Sequence, residues 1–339
     1  MKRRLVVVAA AVVVLMVAGC TDIFVGPDVK LDRLGLFERV WRDLDRYYSL
    51  FLVKRVSWDS LHDVYAPRAA QAASDSELAF VVGALLSELR DVHVGLVAGT
   101  QVYRFTGYDT RPAFFDPGIV AQYVTDRRAA PNAHSAFGHA AADIGYVWIL
   151  HFQGSGFGAD IDTALAQLAD VRALIIDVRD NPGGQAPNLE AVAGRFIDRD
   201  RTYAFIRVRD GQRPDELTQP EPRVLSPTGL SRFTGPVAVL TNRRSVSTAE
   251  GFVLAMRALP GVTIVGDSTE GGAGNPLTRE LPNGWTYRFP FATWYAPDLT
   301  TFEEIGLAPD VWVRGSAAEL AAGRDAILDT ALAILRRSL

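Results

Sequence analysis

Apolar residues recur along this chain in two rhythms. From Leu31 to Arg90 they fall at three- and four-residue steps: Leu34, Phe37, Val40, Trp41, Leu44 and Tyr48 form one stripe with arginines and aspartates opposite, which predicts an amphipathic helix. Ser74-Asp75-Ser76-Glu77 is a Ser-x-x-Glu capping box, in which serine and glutamate side chains satisfy the first N–H groups of a helix. The helix it opens carries Leu78, Val81, Val82, Leu85, Leu86 and Leu89. Residues 31–92 therefore read as a small N-terminal helical domain.

The second rhythm is one of short apolar runs. Residues 92–98 look strand-like, and the segment 93–142, rich in Gly, Pro, Asp and Asn beyond Ala98, reads as an irregular connection with one or two further strands. From residue 143 to 339, strands are predicted at 145–152, 173–179, 203–209, 237–240 and 262–265. Helices are predicted between them at 160–168, 189–196 and 248–259. A Pro-rich stretch, 211–236, reads as a surface loop. Strand-like segments follow at 277–281, 285–292 and 311–313, and 317–335 reads as one amphipathic helix. Apolar strands separated by helices imply an α/β core around a mostly parallel sheet.

The first thirty residues obey neither rhythm. Met1-Lys2-Arg3-Arg4 precedes an apolar run from Leu5 to Ala18, too short to span a bilayer comfortably and shaped like a secretory signal. It ends in Val17-Ala18-Gly19-Cys20, which resembles the lipobox of bacterial lipoproteins. That resemblance implies lipidation of Cys20, cleavage before it, a tether over 20–30 and a cell-envelope location on a membrane anchor. Two or more acyl chains hold a protein stably where one binds reversibly.

Composition narrows the partners. With 48% apolar and 22% charged residues in 339, the chain is an ordinary globular one. Its 35 basic and 39 acidic residues give a formal charge of -4, and no basic stripe is available to neutralise a phosphate backbone, so no nucleic-acid partner is expected. A single cysteine forbids an internal disulfide or a cysteine metal site. The five histidines show no metal-ligand spacing, so neither metal nor cofactor is implied. Only three lysines are present, Lys2, Lys30 and Lys54.

Three short segments could carry chemistry. Asp177-Val178-Arg179-Asp180-Asn181-Pro182-Gly183-Gly184 leaves an apolar strand and precedes a helix; adjacent glycines there can aim backbone N–H groups at one anionic spot, or form a plain turn. Ser247-Thr248-Ala249-Glu250 also joins a strand to a helix, where Ser247 is either an N-cap or a nucleophile in the positive end of the helix dipole. His93, in Leu89-Arg90-Asp91-Val92-His93, is either a satisfied histidine or a general base.

Taken in chain order, Leu89-x-Asp91-x-His93, Gly145-Tyr146-Val147 with Phe152, the run Leu174 to Gly184, Ser247-x-x-Glu250, Gly266-Asp267-x-Thr269-x-Gly271-Gly272, Leu281-Pro282-Asn283-Gly284 and Glu303-x-x-Gly306-Leu307-x-Pro309-Asp310 resemble the C-terminal-processing (tail-specific) serine protease superfamily. The tricorn core protease and the interphotoreceptor retinoid-binding proteins are its other branches. The resemblance covers about Leu34 to Val313 and implies a crotonase-like α/β core with hydrolysis of peptides or unfolded protein segments. The tail-specific branch draws its base from a lysine at the position held here by Gly272, and no lysine follows Lys54. The tricorn-like branch uses a histidine at the end of the helical domain, oriented by a late glutamate. By that likeness Ser247, His93 and Glu303 form a triad, with Glu304 as the alternative orienting residue. Backbone N–H groups of Gly183 or Gly184 and of Thr248 would form the oxyanion hole. The residue before the histidine, expected to be serine or glutamate, is Val92 here. The fifty residues from Val94 to Asp143 are about half of what an inserted PDZ domain needs, so strict capture of C-termini is not expected. The alternative reading on the same fold is a non-catalytic binder of a hydrophobic peptide or lipid; a third is a scaffold module.

Overall fold

The structure is a computed structural model that describes residues 32–339 except 109, 230 and 273. The expected leader, Cys20 and tether lie outside the described residues.

Four helices open the chain: α1 (Arg33–Tyr47), α2 (Phe51–Lys54), α3 (Trp58–Ala70) and α4 (Asp75–Ser87). Asp32 caps α1 by accepting the Gly35 N–H (2.7 Å), and Ser74 caps α4 by accepting that of Glu77 (3.2 Å). The Glu77 carboxylate reaches one residue further back than a capping box requires, to the Ala73 N–H (2.8 Å). Phe37, Val40 and Leu44 of the expected stripe are buried, whereas Leu34 lies at its exposed edge.

The segment after α4 is more regular than its composition suggests. It holds β1 (Gly95–Ala98), β2 (Gln101–Arg104), a helix α5 (Pro117–Tyr123), β3 (Thr125–Ala129) and β4 (Ser135–Ala141). Then follow β5 (Ile144–Ile149), α6 (Phe157–Gln167), β6 (Ala173–Asp177), α7 (Ala186–Ala193), β7 (Arg201–Val208), β8 (Glu221–Leu225), β9 (Val237–Thr241), α8 (Thr248–Arg257) and β10 (Val262–Gly266). The chain ends with β11 (Pro276–Glu280), β12 (Thr286–Pro290), β13 (Ala292–Tyr295), β14 (Val311–Trp312), α9 (Ala317–Ala321) and α10 (Ala326–Ser338).

The central sheet has seven strands in the order β14-β10-β9-β6-β5-β4-β3. Its first five strands are parallel; β4 and β3 add antiparallel edges. Successive residues of a strand face opposite sides, and both sides are covered. Ile176 and Val239 pack with Ile161, Leu189 and Phe252 under α6, α7 and α8, while Ile175 and Leu240 pack with Ile327 and Leu332 of α10 on the other side. Burial on both faces explains why these strands read as continuous apolar runs.

Three expectations give way to long-range pairing. Besides β1, the connecting segment contributes β2 to a four-stranded sheet, β11-β12-β1-β2, and β3 and β4 to the central one. The Pro-rich stretch contains β8, which pairs with β7 in a three-stranded sheet, β13-β7-β8. The final helix is two: Gly323 turns the backbone at φ 72° and Asp325 starts α10 by accepting the Leu328 N–H (3.0 Å). The core of the helical unit is completed by Leu281, Tyr287 and Phe289 from β12 and the turn before it, so late strands close the early helices.

Candidate active site

The C-terminal ends of the neighbouring parallel strands β6 and β9 lead into residues 178–185 and 242–247, the place where open α/β sheets gather ligands. Ser247 ends the second segment at the N-terminus of α8. Among the described residues three other serines start helices, Ser57, Ser74 and Ser316, with φ of -82°, -139° and -135°, and the side chains of Ser74 and Ser316 accept a backbone N–H. Ser247 differs: its φ is 61° and ψ -121°, a region where a non-glycine residue stores about 1–3 kcal/mol. An ordinary N-cap would be extended, so helix capping alone does not account for this serine.

The turn is held by Glu250, one turn into α8 and fully buried. Its Oε2 accepts the N–H groups of Ser247 and Gly272, both at 3.0 Å, and its Oε1 accepts Gly271 N–H (2.8 Å) and Thr269 Oγ1–H (2.6 Å). Burial pushes its carboxyl above the ordinary value, and these four donors hold the rise back. The capping glutamate read from the sequence thus also anchors the glycine-rich turn after β10.

Asn181 and the glycine pair bind the first segment to the second. Asn181 accepts Gly183 N–H on its side chain (2.9 Å), donates to Ile149 O (2.9 Å), and accepts Val246 N–H on its carbonyl (3.1 Å). Both glycines are required by contact. A Cβ on Gly183 would meet Ser247 Cβ at 2.7 Å and Thr248 N at 2.8 Å, and one on Gly184 would lie 2.1 Å from the Phe152 carbonyl carbon. Thr248 Oγ1 donates to Gly184 O (2.7 Å), closing the frame around the serine. Below it, the buried Arg179 spans Asp177 and Asp325.

His93 lies in the turn between α4 and β1 and is buried. Burial pulls its imidazole down to about 4; Asp91 opposes this, and Arg288 and Lys54 add to it. Asp91 Oδ1 accepts the His93 N–H (2.8 Å) and stands 4.0 Å from its Nδ1, while Oδ2 accepts the Tyr48 hydroxyl (2.8 Å). Gly272 links this turn to the serine turn: a Cβ there would lie 2.4 Å from Val92 Cγ1 and 3.3 Å from Val246 Cγ2. The crowding also shows why no side chain extends from position 272.

Of the two late glutamates, Glu303 is buried with its side chain 3% exposed, and Glu304 is one third exposed. Glu304 N–H donates to Gly271 O (2.7 Å), which ties this loop to the same glycine turn. Glu303 Oε1 accepts from Lys54 Nζ at 2.7 Å. Burial raises the Glu303 carboxyl, Asp91 raises it further, and Lys54 opposes both. Chain neighbours of the three expected triad residues, Val92, Val246 and Glu304, thus meet at the Gly271–Gly272 turn, and the carboxylate within 4.0 Å of the imidazole is Asp91, not Glu303.

Sequence reading passed over Asp91, Lys54, Asn181 and Tyr48 as site residues. A signal existed for Asp91, two residues before the histidine; the Lys54–Glu303 pair spans 249 positions and left no local trace. Beside Ser247 a cleft is walled by Ala186, Leu189, Pro276 and Trp294, with Trp294 Nε1 donating to Asn275 Oδ1 (3.1 Å). Among the described residues no group of His, Cys, Asp and Glu could hold a metal ion.

A strained serine at a strand-to-helix turn, a glycine pair against it and a helical unit over an α/β core define the serine-peptidase class of this fold. The model of peptidase family S41 matches residues 143–313, half of the chain, and that of the tricorn protease C1 domain matches residues 30–87. The chain belongs to peptidase family S41. The crystal structure of a candidate peptidase from Parabacteroides merdae is similar over 88% of this chain and 95% of its own, with 34% identity and a TM-score of 0.81. Carboxyl-terminal-processing peptidase 3 of Arabidopsis thaliana chloroplasts is 28% identical over 172 residues, 50% of this chain and 31% of that protein. The match therefore spans about a third of that curated relative. The tricorn protease shares the fold, with a TM-score of 0.60 at 16% identity over 90% of this chain and 36% of its own.

Proposed function

We propose that this protein hydrolyses peptide bonds in peptides or unfolded segments through an acyl-enzyme on Ser247. The left-handed backbone of Ser247, fixed at a helix N-terminus by Glu250, is the observation that carries the reading. Ser247 Oγ attacks the scissile carbonyl while neutral His93 takes its proton, and the imidazolium then returns it to the leaving amine. By the family likeness Glu303 balances the charge of the imidazolium, its burial favouring it over the more exposed Glu304, while Asp91, 4.0 Å from Nδ1, helps to hold the ring. Gly183 N–H is already committed to Asn181, so Gly184 and Thr248 supply the oxyanion donors, each worth about 3 kcal/mol of barrier. The apolar cleft beside Ser247 fits a modest aliphatic side chain on the acyl side of the cleaved bond.

A fluorophosphonate probe tests this directly. Labelling of the wild type that disappears in Ser247→Ala is the expected result; a folded wild type that stays unlabelled from pH 6 to 9 overturns it and favours the peptide- or lipid-binding alternative. We also propose a lipid anchor at Cys20, supported by the basic, apolar and small-residue pattern that precedes it. Radiolabelled fatty acid should enter the protein and be lost in Cys20→Ala, and incorporation that persists in that variant refutes the anchor.

A further inference from the structure

Lys54, the last lysine of the chain, is fully buried at the end of a four-residue helix, although a buried ammonium is costly unless paired. It is paired twice, with Glu303 Oε1 at 2.7 Å and Glu304 Oε1 at 3.5 Å, and donates to Arg90 O at 3.2 Å. Arg90 in turn donates from Nη2 to Lys54 O (3.4 Å), one residue before Asp91 and three before His93. We infer that Lys54 is a positioning residue that holds the Glu303 carboxylate ionised and aimed for the protonated state of His93. This rests on the Ser247–His93–Glu303 reading and adds a fourth member from the helical unit.

The electrostatic surroundings require such a cation. Glu303 is surrounded by Asp91 from the histidine turn, Glu250 from α8 and its own neighbour Glu304, and the Tyr48 and Tyr108 hydroxyl groups complete the site. Asp91, Glu250 and burial all favour a neutral Glu303, and a neutral acid cannot balance an imidazolium. Arg288 acts on the other side, towards His93, and donates from Nη2 to the carbonyl of the preceding Val92 at 3.3 Å. Lys54 is the ammonium in contact with Glu303. It is not a substitute base: burial lowers its own value, but Glu303 and Asp91 outweigh that and raise it, so it stays charged. A lysine that served as the base would need the opposite shift.

The test is the rate of fluorophosphonate labelling of the full chain from pH 5 to 10 in Lys54→Met, Lys54→Gln and Lys54→Arg, with folding verified by circular dichroism. Loss of the charge makes Glu303 ionise later, so labelling at pH 7 falls about tenfold or more and the acid limb moves up by about 1 to 3 pH units in both neutral variants. Lys54→Arg keeps the wild-type limb. Glutamine can still donate to Glu303 and Arg90, so it supports the fold should methionine not, and it would restore labelling if hydrogen bonding were the role. Neutral variants with the wild-type rate and limb, or rescue by glutamine, overturn the inference while Ser247 labelling in the wild type stands. A wild type that is not labelled overturns both readings.

Discussion

Replacing Glu250 by glutamine is expected to destabilise the protein by about 2–4 kcal/mol and to slow labelling of Ser247, although the two side chains have nearly the same shape. Four donors converge on two carboxylate oxygens, and three of them, the N–H groups of Ser247, Gly271 and Gly272, cannot reverse their direction. An amide offers one oxygen. Its NH2 group must face at least one of those backbone N–H groups, and the best orientation sets it towards Thr269 Oγ1, which can turn, and Gly271, which cannot. One hydrogen bond to a charged acceptor is lost and a buried donor is left unpaired, each costing about 1–3 kcal/mol. Alanine removes every partner at once and should cost more. Urea unfolding reads the loss as a lower midpoint at constant slope. A glutamine variant with the wild-type midpoint would mean that the turn around Ser247 is held by something else.

Arg179→Met should cost about 3–5 kcal/mol, the range for removing one member of a buried ion network. The guanidinium is fully buried, meets Asp177 at 2.6 Å and Asp325 at 2.8 Å, and lies 4.6 Å from the centre of the Phe115 ring. Asp177 also accepts the Tyr146 hydroxyl (2.7 Å), while Asp325 caps α10. Methionine fills much of the volume but leaves two carboxylates buried without their cation. Lysine restores a charge yet has no planar fork to serve both aspartates, so Arg179→Lys should recover only part of the loss. Hydrogen exchange should accelerate at the start of α10 in both variants. Unchanged protection there would show that Asp325 does not depend on the arginine.

Ser247 shows how far the sequence reaches. Its capping box and its place between an apolar strand and a helix were readable, because both are local and periodic. Its φ of 61° was not, because it is imposed by Glu250, Gly183 and the glycine turn, which arrive from three segments. The same division holds for the fold. Strands buried on both faces announced themselves as apolar runs, and the cap of α4 was correctly placed. β8, whose residues are largely exposed, was hidden in a Pro-rich stretch because its only apolar commitment is Leu225 and its pairing partner β7. The break before α10 left a local trace in Gly323 and Asp325 that the amphipathic period of 317–335 overrode; the contact of Asp325 with Arg179, 146 positions earlier, left none. The family motifs ran through the buried ions Asp91, Asp177, Arg179 and Glu250, but not through Lys54 or Asp325, whose partners lie far along the chain.

The closing of the early helical core by Leu281, Tyr287 and Phe289 carries a consequence for the order of assembly. As the chain is synthesised, α1 to α4 can form early, but they lack one wall until β12 is made, and the arginine beneath the serine frame waits still longer for Asp325. Such distant pairings pay their loop-closure entropy last. A chain that stops short of Asp325 therefore carries Ser247 before the ion network beneath its turn is complete.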